Sequence, residues 1–264
     1  MPYDLLVVGA GPAGLSAAIY ARARNKSVLV VSNDPTASPL CKAHQIDNYP
    51  GIAHISGLQL VEDMLAQARE MGAEFRQGRV LTLMPLGDSV MASIGDQVEQ
   101  ATAVVLAPGV ARATPLPGEE KLLGRGVSYC ATCDGMFYRG KQVVVAGDAP
   151  DLAEETEYLR SIGCEVTSVR LPGLHILGED QVTGVCTAKG EEIPCQGVFL
   201  LRASIAPTQL APGLELDGNY VKVNSFMATN LPGIYAAGDC TGQPLQLAKA
   251  VGEGQIAAHH ALGL

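Results

Sequence analysis

The stretch Asp4-Leu5-Leu6-Val7-Val8-Gly9-Ala10-Gly11-Pro12-Ala13-Gly14 decides the fold of this chain. Its apolar first half predicts a short buried strand, and the pattern GxGxxG follows at once. Gly9 permits a tight turn, Gly11 lets the backbone approach a pyrophosphate, and Gly14 lets the next helix pack closely on the strand. Because the N-terminus of that helix favours an anion, the sequence predicts a dinucleotide-binding turn at the start of the chain.

The segments after this turn complete the unit. A helix is expected from Leu15 to Arg24, and a second buried strand from Lys26 to Val31. At the end of that strand the dinucleotide fingerprint expects Asp or Glu to hold a ribose. The chain has Ser32 and Asn33 there, followed by Asp34. We therefore expect a dinucleotide whose adenosine end is held by weaker hydrogen bonds from Ser32 or Asn33.

The composition excludes several classes of function. A length of 264 residues suits one large domain or two modest ones, and 47 % apolar residues with 30 glycines suit an α/β protein with buried parallel strands. A net charge of -9 argues against a nucleic-acid partner. The uncharged run from Leu5 to Ala21 contains glycines and a proline and follows Asp4, which argues against a signal peptide. We expect a cytoplasmic protein without a membrane partner.

A second stretch, Tyr129-Cys130-Ala131-Thr132-Cys133-Asp134-Gly135, predicts redox chemistry. A CxxC pair can close and reopen a small disulfide ring, and a thiolate forms there more readily than on an isolated cysteine. The carboxylic acid of Asp134 can exchange a proton with the departing sulfur. A structural zinc site would need a second close pair, which the sequence lacks, so no metal is expected. The remaining cysteines are interpreted as small buried hydrophobes: Cys41, Cys164, Cys186, Cys195 and Cys240.

The remaining pattern predicts an interrupted first domain. Phe75 to Glu99 is expected to form a small antiparallel meander, and Ala103 to Ala107 a buried strand. Pro115-Leu116-Pro117-Gly118 is a plausible crossing into a second domain. From Ala206 the chain is expected to return to the first domain, which ends in a helix from Gln246 to Leu262.

The second domain contains a damaged copy of the dinucleotide turn. Gln142 to Gly147 predicts the strand, but Gly147-Asp148-Ala149-Pro150-Asp151 keeps only the first glycine of the fingerprint. Asp148 and Asp151 place negative charge where a pyrophosphate would rest. No cluster of arginines follows the next strand, Glu165 to Val169, although the 2′-phosphate of NADPH would want one.

The chain resembles the low-molecular-weight thioredoxin reductases over nearly its whole length. The residues that carry the resemblance are Gly9–Gly14, Asn48-Tyr49-Pro50-Gly51, Arg112, Pro117-Gly118-Glu119, Gly126–Gly135 and Ala236-Ala237-Gly238-Asp239. The resemblance implies an α/β fold of two Rossmann-like, three-layer nucleotide-binding domains, the second shortened and inserted in the first. Residues 1–117 and 206–264 would form the FAD-binding domain, and residues 118–205 a degenerate NAD(P)H-binding-like domain that carries the CxxC motif.

The resemblance also implies a homodimeric, flavin-dependent disulfide oxidoreductase. Cys133 would take electrons from the flavin, Cys130 would attack the disulfide of thioredoxin, and Asp134 would be the acid–base group. Asn48 and Gln246 would lie near the flavin ring. The full set of expected cofactor-binding residues is Gly9, Gly11, Pro12, Ala13, Gly14, Ser32, Asn33, Leu40, Asn48, Gly109, Gly238, Asp239 and Gln246, with Asp239 near the ribityl chain.

The departures from this family fall mostly on NADPH binding. Ala37-Ser38 stands where the family has two glycines, Ala107-Pro108-Gly109 replaces Ala-Thr-Gly, and a helix-and-strand segment is missing after Pro172. The last helix resembles that of pyridine-nucleotide-independent relatives, which include ferredoxin-dependent flavin thioredoxin reductases and diflavin-linked disulfide oxidoreductases. We therefore expect electrons to reach FAD from ferredoxin or from a second flavin and to pass through Cys130–Cys133 to thioredoxin or a similar protein.

Three alternatives stay open at the level of sequence. The first is an enzyme that still binds a nicotinamide nucleotide, NADH or NADPH, weakly, although Asp148 and Asp151 count against it. The second is a redox-sensing flavoprotein whose CxxC motif reports the state of the flavin without turnover. Metal binding at Cys130 and Cys133 is a weaker rival.

Overall fold

The computed structural model describes residues 2–109, 115–149, 152–202 and 207–264, without the side chains of Ala37, Pro39 and Cys133. The chain divides into two compact units, unit 1 (Met1–Ala111 with Pro207–Leu264) and unit 2 (Arg112–Ala206). The first crossing thus comes earlier in the chain than expected. Pro117 belongs to unit 2, because its carbonyl accepts a hydrogen bond from the Ile176 N–H at 2.9 Å.

The helices and strands follow in chain order. Those of the first part of unit 1 are β1 (Tyr3–Val8), α1 (Pro12–Arg22), β2 (Val28–Ser32), α2 (Gly57–Glu70), β3 (Glu74–Gln77), β4 (Val80–Leu86), β5 (Ser89–Ile94) and β6 (Gln97–Leu106). Those of unit 2 are α3 (Glu119–Leu122), β7 (Val127–Ser128), α4 (Ala131–Asp134), β8 (Gln142–Gly147), α5 (Leu152–Ser161), β9 (Glu165–Val169), β10 (His175–Gly178), β11 (Val182–Cys186), β12 (Glu192–Pro194) and β13 (Gly197–Leu201). Unit 1 resumes with α6 (Pro207–Leu210), β14 (Leu216–Asp217), β15 (Tyr220–Val221), β16 (Ile234–Ala236) and α7 (Leu247–Ala261). Short 3₁₀ helices cover Pro35–Ala37, Pro39–Lys42, Gly135–Tyr138 and Asp239–Thr241.

The main sheet of unit 1 has the strand order β3-β2-β1-β6-β5-β4, and β16 also pairs with β6. The expected meander over Phe75–Glu99 was partly wrong, because β3 pairs in parallel with β2. The antiparallel hairpins are formed by β4, β5 and the first half of β6. The second half of β6, buried from Ala103 to Leu106, lies parallel to β1 and β16. One continuous strand therefore serves both the meander and the core.

Helices α1 and α7 pack against each other through small residues. A Cβ at Gly254 would lie 2.1 Å from the carbonyl oxygen of Ala13, and Ala17 and Ala257 are fully buried. A Cβ at Gly238 would lie 2.9 Å from the Cβ of Ala13. This close packing brings the turn before α1 next to the turn after β16, so that residues from the two ends of the chain lie side by side.

Unit 2 has three layers. Its central sheet is parallel, in the order β7-β13-β8-β9, and an antiparallel sheet of β10, β11 and β12 covers one face through Ile176 and Val185. Helices α4 and α5 cover the other face, where Leu159 and Phe199 are buried. The chain passes from β9 to β10 without a helix, as the missing segment after Pro172 predicted. The expected α/β class with a shortened second Rossmann-like unit is confirmed.

Among the described residues, every helix is too short or too polar to cross a membrane.

Candidate active site

The predicted glycine turn lies between β1 and α1, where each glycine meets a different constraint. Gly9 has φ +104°, and a Cβ there would lie 2.3 Å from the carbonyl oxygen of Ala107. A Cβ at Gly14 would lie 1.9 Å from the carbonyl oxygen of Gly9, so the helix packs directly on the turn. At Gly11, which precedes Pro12 at the start of α1, a Cβ would meet no atom within 4 Å. Open space at a helix N-terminus suits a pyrophosphate.

The segment after β2 would face the adenosine end of a dinucleotide. Ser32 is the last residue of β2, and both Ser32 and Asn33 are half-buried. The carboxylate of Asp34 accepts hydrogen bonds from the N–H and the hydroxyl of Thr36, at 2.9 and 2.7 Å. These hydrogen bonds lower the pKa of Asp34. Because Asp34 is occupied within its own loop, Ser32 and Asn33 stay the predicted ribose contacts.

Two predicted flavin contacts meet although they lie 198 positions apart. The Asn48 Nδ2 donates to the Gln246 Oε1 at 3.1 Å. Gln246 caps the N-terminus of α7, while Asn48 lies in the loop 47–53, which lines an open pocket of about 460 Å³. Leu40 supports the next helix, because a Cβ at Gly57 would lie 1.9 Å from the Leu40 carbonyl oxygen.

Asp239 starts the 3₁₀ helix after β16 and is half-buried. Burial raises the pKa of Asp239; the ammonium of Lys249 lowers it, and the carboxylate of Glu253 raises it further. Gly238, with φ +87°, sets the direction in which the chain enters this turn. Gly109, with φ +73°, follows the segment that packs on Gly9.

The disulfide centre lies in unit 2, where Cys130 directly precedes α4. Cys130 is disulfide-bonded and 7 % exposed. The side chain of Cys133 lies outside the described residues, as do the whole of Arg112 and Asp151. The hydroxyl of Ser128 donates to the Asp134 Oδ2 at 2.6 Å and accepts from the Cys130 N–H at 3.1 Å. Ser128 therefore links the first cysteine to the predicted acid–base group.

A buried ion pair supports the residue before the first cysteine. The guanidinium of Arg202 donates to both carboxylate oxygens of Glu119, at 2.6 and 2.8 Å, and the Tyr129 hydroxyl donates to Glu119 at 3.0 Å. Burial alone would raise the pKa of Glu119, but hydrogen bonds from Arg202 and the Leu116 N–H lower it overall. Burial and the Glu119 charge raise the pKa of Tyr129, so its phenol stays neutral.

In the described part of the turn between β8 and α5, two N–H groups are already hydrogen-bonded within unit 2. The N–H groups of Asp148 and Ala149 both donate to the Leu201 carbonyl oxygen at 3.0 Å. The first turn of α5 carries Glu154 and Glu155, and Glu155 Oε2 accepts from the Ala131 N–H at 2.9 Å. Acidic side chains and engaged N–H groups are both unfavourable for a phosphate.

The five cysteines outside the motif are free thiols: Cys41, Cys164, Cys186, Cys195 and Cys240. Cys164, Cys195 and Cys240 are buried as expected, but the expected burial was wrong for Cys41 and Cys186, which are half-buried. Burial raises the pKa of Cys195 to about 11 and that of Cys240 to about 12. Buried protonated thiols of this kind are poor nucleophiles. In the described part of the chain, no group of three His, Cys, Asp or Glu residues is arranged to hold a metal ion.

The sequence pattern of the pyridine nucleotide-disulphide oxidoreductases matches residues 3–175 and 172–254. The chain belongs to this family. A thioredoxin reductase of Listeria monocytogenes serovar 1/2a is 32 % identical, over 98 % of this chain and 92 % of the relative. The solved ferredoxin-flavin thioredoxin reductase of Clostridium acetobutylicum is 38 % identical with a TM-score of 0.90, over 100 % of this chain and 97 % of that one. A thioredoxin reductase from Gloeobacter violaceus is 32 % identical with a TM-score of 0.80, over 99 % and 93 %.

As a pyridine nucleotide-disulphide oxidoreductase related to thioredoxin reductases, the chain is an oxidoreductase enzyme, and the family implies FAD. The residues of unit 1 fit this cofactor. Gly11 leaves open space at the N-terminus of α1, and Asn48 and Gln246 present amide groups side by side. The expected family and enzyme class are confirmed.

Sequence reasoning assigned no role to several residues that complete the site. These are Ser128, Glu119, Glu155, Arg202, Lys249 and Glu253. The i,i+4 spacing of the last two was a readable signal of an ion pair on one helix face. Arg202 gave no such signal, because its partner Glu119 lies 83 positions away.

Proposed function

We propose that this protein is an FAD-dependent dithiol–disulfide oxidoreductase that reduces thioredoxin or a thioredoxin-like protein without using NADPH. Ferredoxin is the proposed electron donor. The observation that carries the proposal is the turn between β8 and α5. The N–H groups of Asp148 and Ala149 are hydrogen-bonded to Leu201, and the first turn of α5 carries Glu154 and Glu155.

The similarity to the Clostridium acetobutylicum protein supports this donor. That protein is described as a ferredoxin-flavin thioredoxin reductase and matches the chain with a TM-score of 0.90. Because ferredoxin delivers single electrons without a nucleotide, an enzyme that it reduces does not require a phosphate-binding turn in unit 2. A second flavin in the degenerate nucleotide site of unit 2 is the alternative donor, and weak use of NADH or NADPH is the other alternative.

In the proposed cofactor site, Gly9, Gly11 and Gly14 would hold the pyrophosphate of FAD, together with Pro12 and Ala13 at the start of α1. Asp239 would bind hydroxyl groups of the ribityl chain, and Asn48 and Gln246 would contact the flavin ring. The remaining proposed contacts are Ser32, Asn33, Leu40, Gly109 and Gly238. When bound, FAD accepts electrons from the donor and supplies a pair of them for disulfide reduction.

The dithiol of unit 2 then performs exchange with the protein substrate. The Cys130 thiolate attacks one sulfur of the thioredoxin disulfide, which forms a mixed disulfide and releases a thioredoxin thiolate. Asp134 receives the proton from Cys130 and passes it to that thiolate. The Cys133 thiol then gives its proton to Asp134 and attacks the Cys130 sulfur as a thiolate, which closes the Cys130–Cys133 disulfide and releases the second thioredoxin sulfur as a thiolate that takes up this proton. Two electrons and two protons have moved from the dithiol to thioredoxin.

The surface beside the motif supports a protein substrate. Met136 and Phe137 follow Asp134-Gly135 directly, and their exposed fractions are 55 % and 73 %. Exposed apolar side chains next to a reactive centre are typical of a protein-docking surface. We propose that they contact thioredoxin when Cys130 attacks.

The donor is tested by anaerobic titration of the yellow holoenzyme with NADPH and NADH, followed by reduced ferredoxin, while the flavin absorbance is recorded. We expect no bleaching by either nucleotide and full bleaching by reduced ferredoxin. A conventional NADPH-dependent thioredoxin reductase serves as the positive control for the nucleotides. Rapid bleaching by NADPH would overturn the proposal. A separate titration with dithionite counts the electrons that the holoenzyme accepts. If it accepts more electrons than one flavin and one disulfide per chain require, a second flavin replaces ferredoxin as the proposed donor.

We further propose a homodimer in the cytoplasm. The free thiols at Cys41, Cys164, Cys186, Cys195 and Cys240 support a reducing compartment. Sedimentation of the holoenzyme tests the dimer, since a single species with the mass of one chain would contradict it.

A further inference from the structure

The last helix carries an ion pair in an unusual setting. Lys249 Nζ lies 3.0 Å from Glu253 Oε2, four positions apart along α7, and the two side chains are 17 % and 16 % exposed. Pairs with this spacing usually lie on solvated helix surfaces, where they contribute little to stability. A pair removed this far from water needs further polar partners to offset its desolvation.

Those partners belong to the turn after β16. Glu253 Oε2 accepts hydrogen bonds from the Gly238 N–H at 2.9 Å and the Thr241 hydroxyl at 2.8 Å. Lys249 Nζ donates to the Gly238 carbonyl oxygen at 3.1 Å and to Thr241 Oγ1 at 3.0 Å. Both backbone groups of Gly238 are therefore held by charged side chains of α7.

The conformation held in this way is one that the chain does not adopt readily. Gly238 has φ +87°, and Ala13 of α1 leaves no room for a side chain there. Asp239 is the next residue, so the direction of its side chain depends on the Gly238 backbone. Holding the N–H and the carbonyl of Gly238 therefore holds the backbone from which the Asp239 side chain extends.

We propose that Lys249 and Glu253 are positioning residues for the cofactor, which clamp the Gly238–Thr241 turn so that Asp239 meets the hydroxyl groups of the ribityl chain. The inference rests on the assignment of Asp239 to that chain under the proposed function. Lys249 has a second effect on Asp239. Burial and the Glu253 carboxylate raise the pKa of Asp239, and the Lys249 ammonium opposes them by lowering it.

The test measures release of FAD from the holoenzyme, by the fluorescence of free flavin on dilution. Glu253→Gln and Lys249→Met are each expected to raise the Kd for FAD by about tenfold to a hundredfold, because each removes one charge of a mostly buried ion pair and leaves the other charge in place. Lys249→Arg keeps the cation and its donors and is expected to stay within about threefold. The matched control is Lys222→Met, which breaks the exposed pair with Glu215 and should leave the Kd unchanged.

Asp239→Asn separates failure of this inference from failure of the assignment beneath it. If Asp239→Asn weakens FAD binding while Glu253→Gln and Lys249→Met keep the wild-type Kd, the clamp is overturned and Asp239 keeps its role. If Asp239→Asn leaves the Kd unchanged, both the clamp and the assignment of Asp239 to the ribityl chain are overturned. The proposed enzyme activity is tested separately, by measuring thioredoxin reduction with ferredoxin. Should Glu253→Gln not fold by far-UV circular dichroism, Thr241→Val removes the hydroxyl that both charges contact. Its expected rise in Kd is about threefold to tenfold, and no rise would overturn the clamp.

Discussion

The glycine turns of the two units share a strand–turn–helix plan but differ in what they offer to a phosphate. In unit 1, Gly11 leaves open space, and the first turn of α1 is uncharged. In unit 2, the Asp148 and Ala149 N–H groups bond to the Leu201 carbonyl oxygen, and the first turn of α5 carries two glutamates.

The comparison separates what a turn needs for folding from what it needs for binding. Gly147 is retained because a Cβ there would lie 1.8 Å from the Leu201 carbonyl oxygen, just as a Cβ at Gly9 would meet Ala107. The glycine at the strand end is therefore kept for close packing. Phosphate binding depends on later positions, where the two units differ. The topology of such a turn therefore does not require that it bind a phosphate.

The largest expected effect comes from Cys130→Ser, which tests whether unit 2 now serves thiol chemistry. Thioredoxin reduction should fall by at least about 10³-fold, because the attacking thiolate is lost. The activity is measured with reduced ferredoxin as the donor. Cys186→Ser, at a half-buried free thiol in the same unit, should keep full activity. If Cys130→Ser retained turnover, electrons would reach thioredoxin by a route that does not include Cys130.

The next effect concerns the stability of unit 2. Arg202→Met should destabilise the protein by about 3–5 kcal/mol, because it removes the guanidinium that donates to both oxygens of the buried Glu119 carboxylate. Urea unfolding at pH 7 measures this loss, and the double variant Glu119→Leu/Arg202→Met should recover part of it. A loss below about 1 kcal/mol would show that the pair is replaceable.

The same pair predicts the pH dependence. The folded-state pKa of Glu119 lies below its ordinary value of 4.5. Its contribution to stability is therefore complete above the unfolded pKa and is lost as the pH falls through the folded one. Unfolding free energies of the wild type should decline in this acidic range more steeply than those of Glu119→Leu/Arg202→Met.

The two turns are compared directly with Gly11→Val and Gly147→Ala. Gly11→Val should keep the unfolding temperature but raise the Kd for FAD by roughly tenfold to a hundredfold, because its side chain enters the space for the pyrophosphate. Gly147→Ala should destabilise the protein by about 1–3 kcal/mol and leave the Kd unchanged. If both variants raised the Kd for FAD by the same factor, the two turns would not differ in their roles in binding and packing.

A smaller effect is expected at the surface beside the disulfide. Phe137→Ala should raise the KM for thioredoxin by about tenfold with little change in kcat, because a docking contact is removed. Steady-state assays with thioredoxin as the varied substrate measure it. Phe226→Ala, at a 52 % exposed residue of unit 1, is the control. An unchanged KM would remove Phe137 from the docking surface.

The smallest effect is predicted for Asp148→Gly, which restores one glycine to the second turn. NADPH should still fail to bleach the flavin, because the turn N–H groups stay bonded to Leu201 and both glutamates of α5 remain. Stopped-flow absorbance with NADPH measures the result. Rapid bleaching would show that Asp148 alone excludes the nucleotide.

Local patterns in the sequence were enough to predict much of the fold. The first strand, helix and second strand were expected within two or three residues of their observed ends, because burial and glycine chemistry act there over short distances. The boundaries of the meander were wrong. Apolar alternation did not show that β3 joins the parallel sheet or that β6 continues into the core, since strand partners are chosen by residues far away in the chain.

The sequence by itself determined the dinucleotide turn, the CxxC motif and the damage to the second turn, because each depends on residue types at fixed spacing. Only the tertiary structure decided which distant side chains meet. The contact of Asn48 with Gln246, the pair Glu119–Arg202 and the clamp of Lys249 and Glu253 on Gly238 all require the packing of separate elements. Hydrogen bonds and charges act over a few ångströms in space, and spacing along the chain does not report those distances.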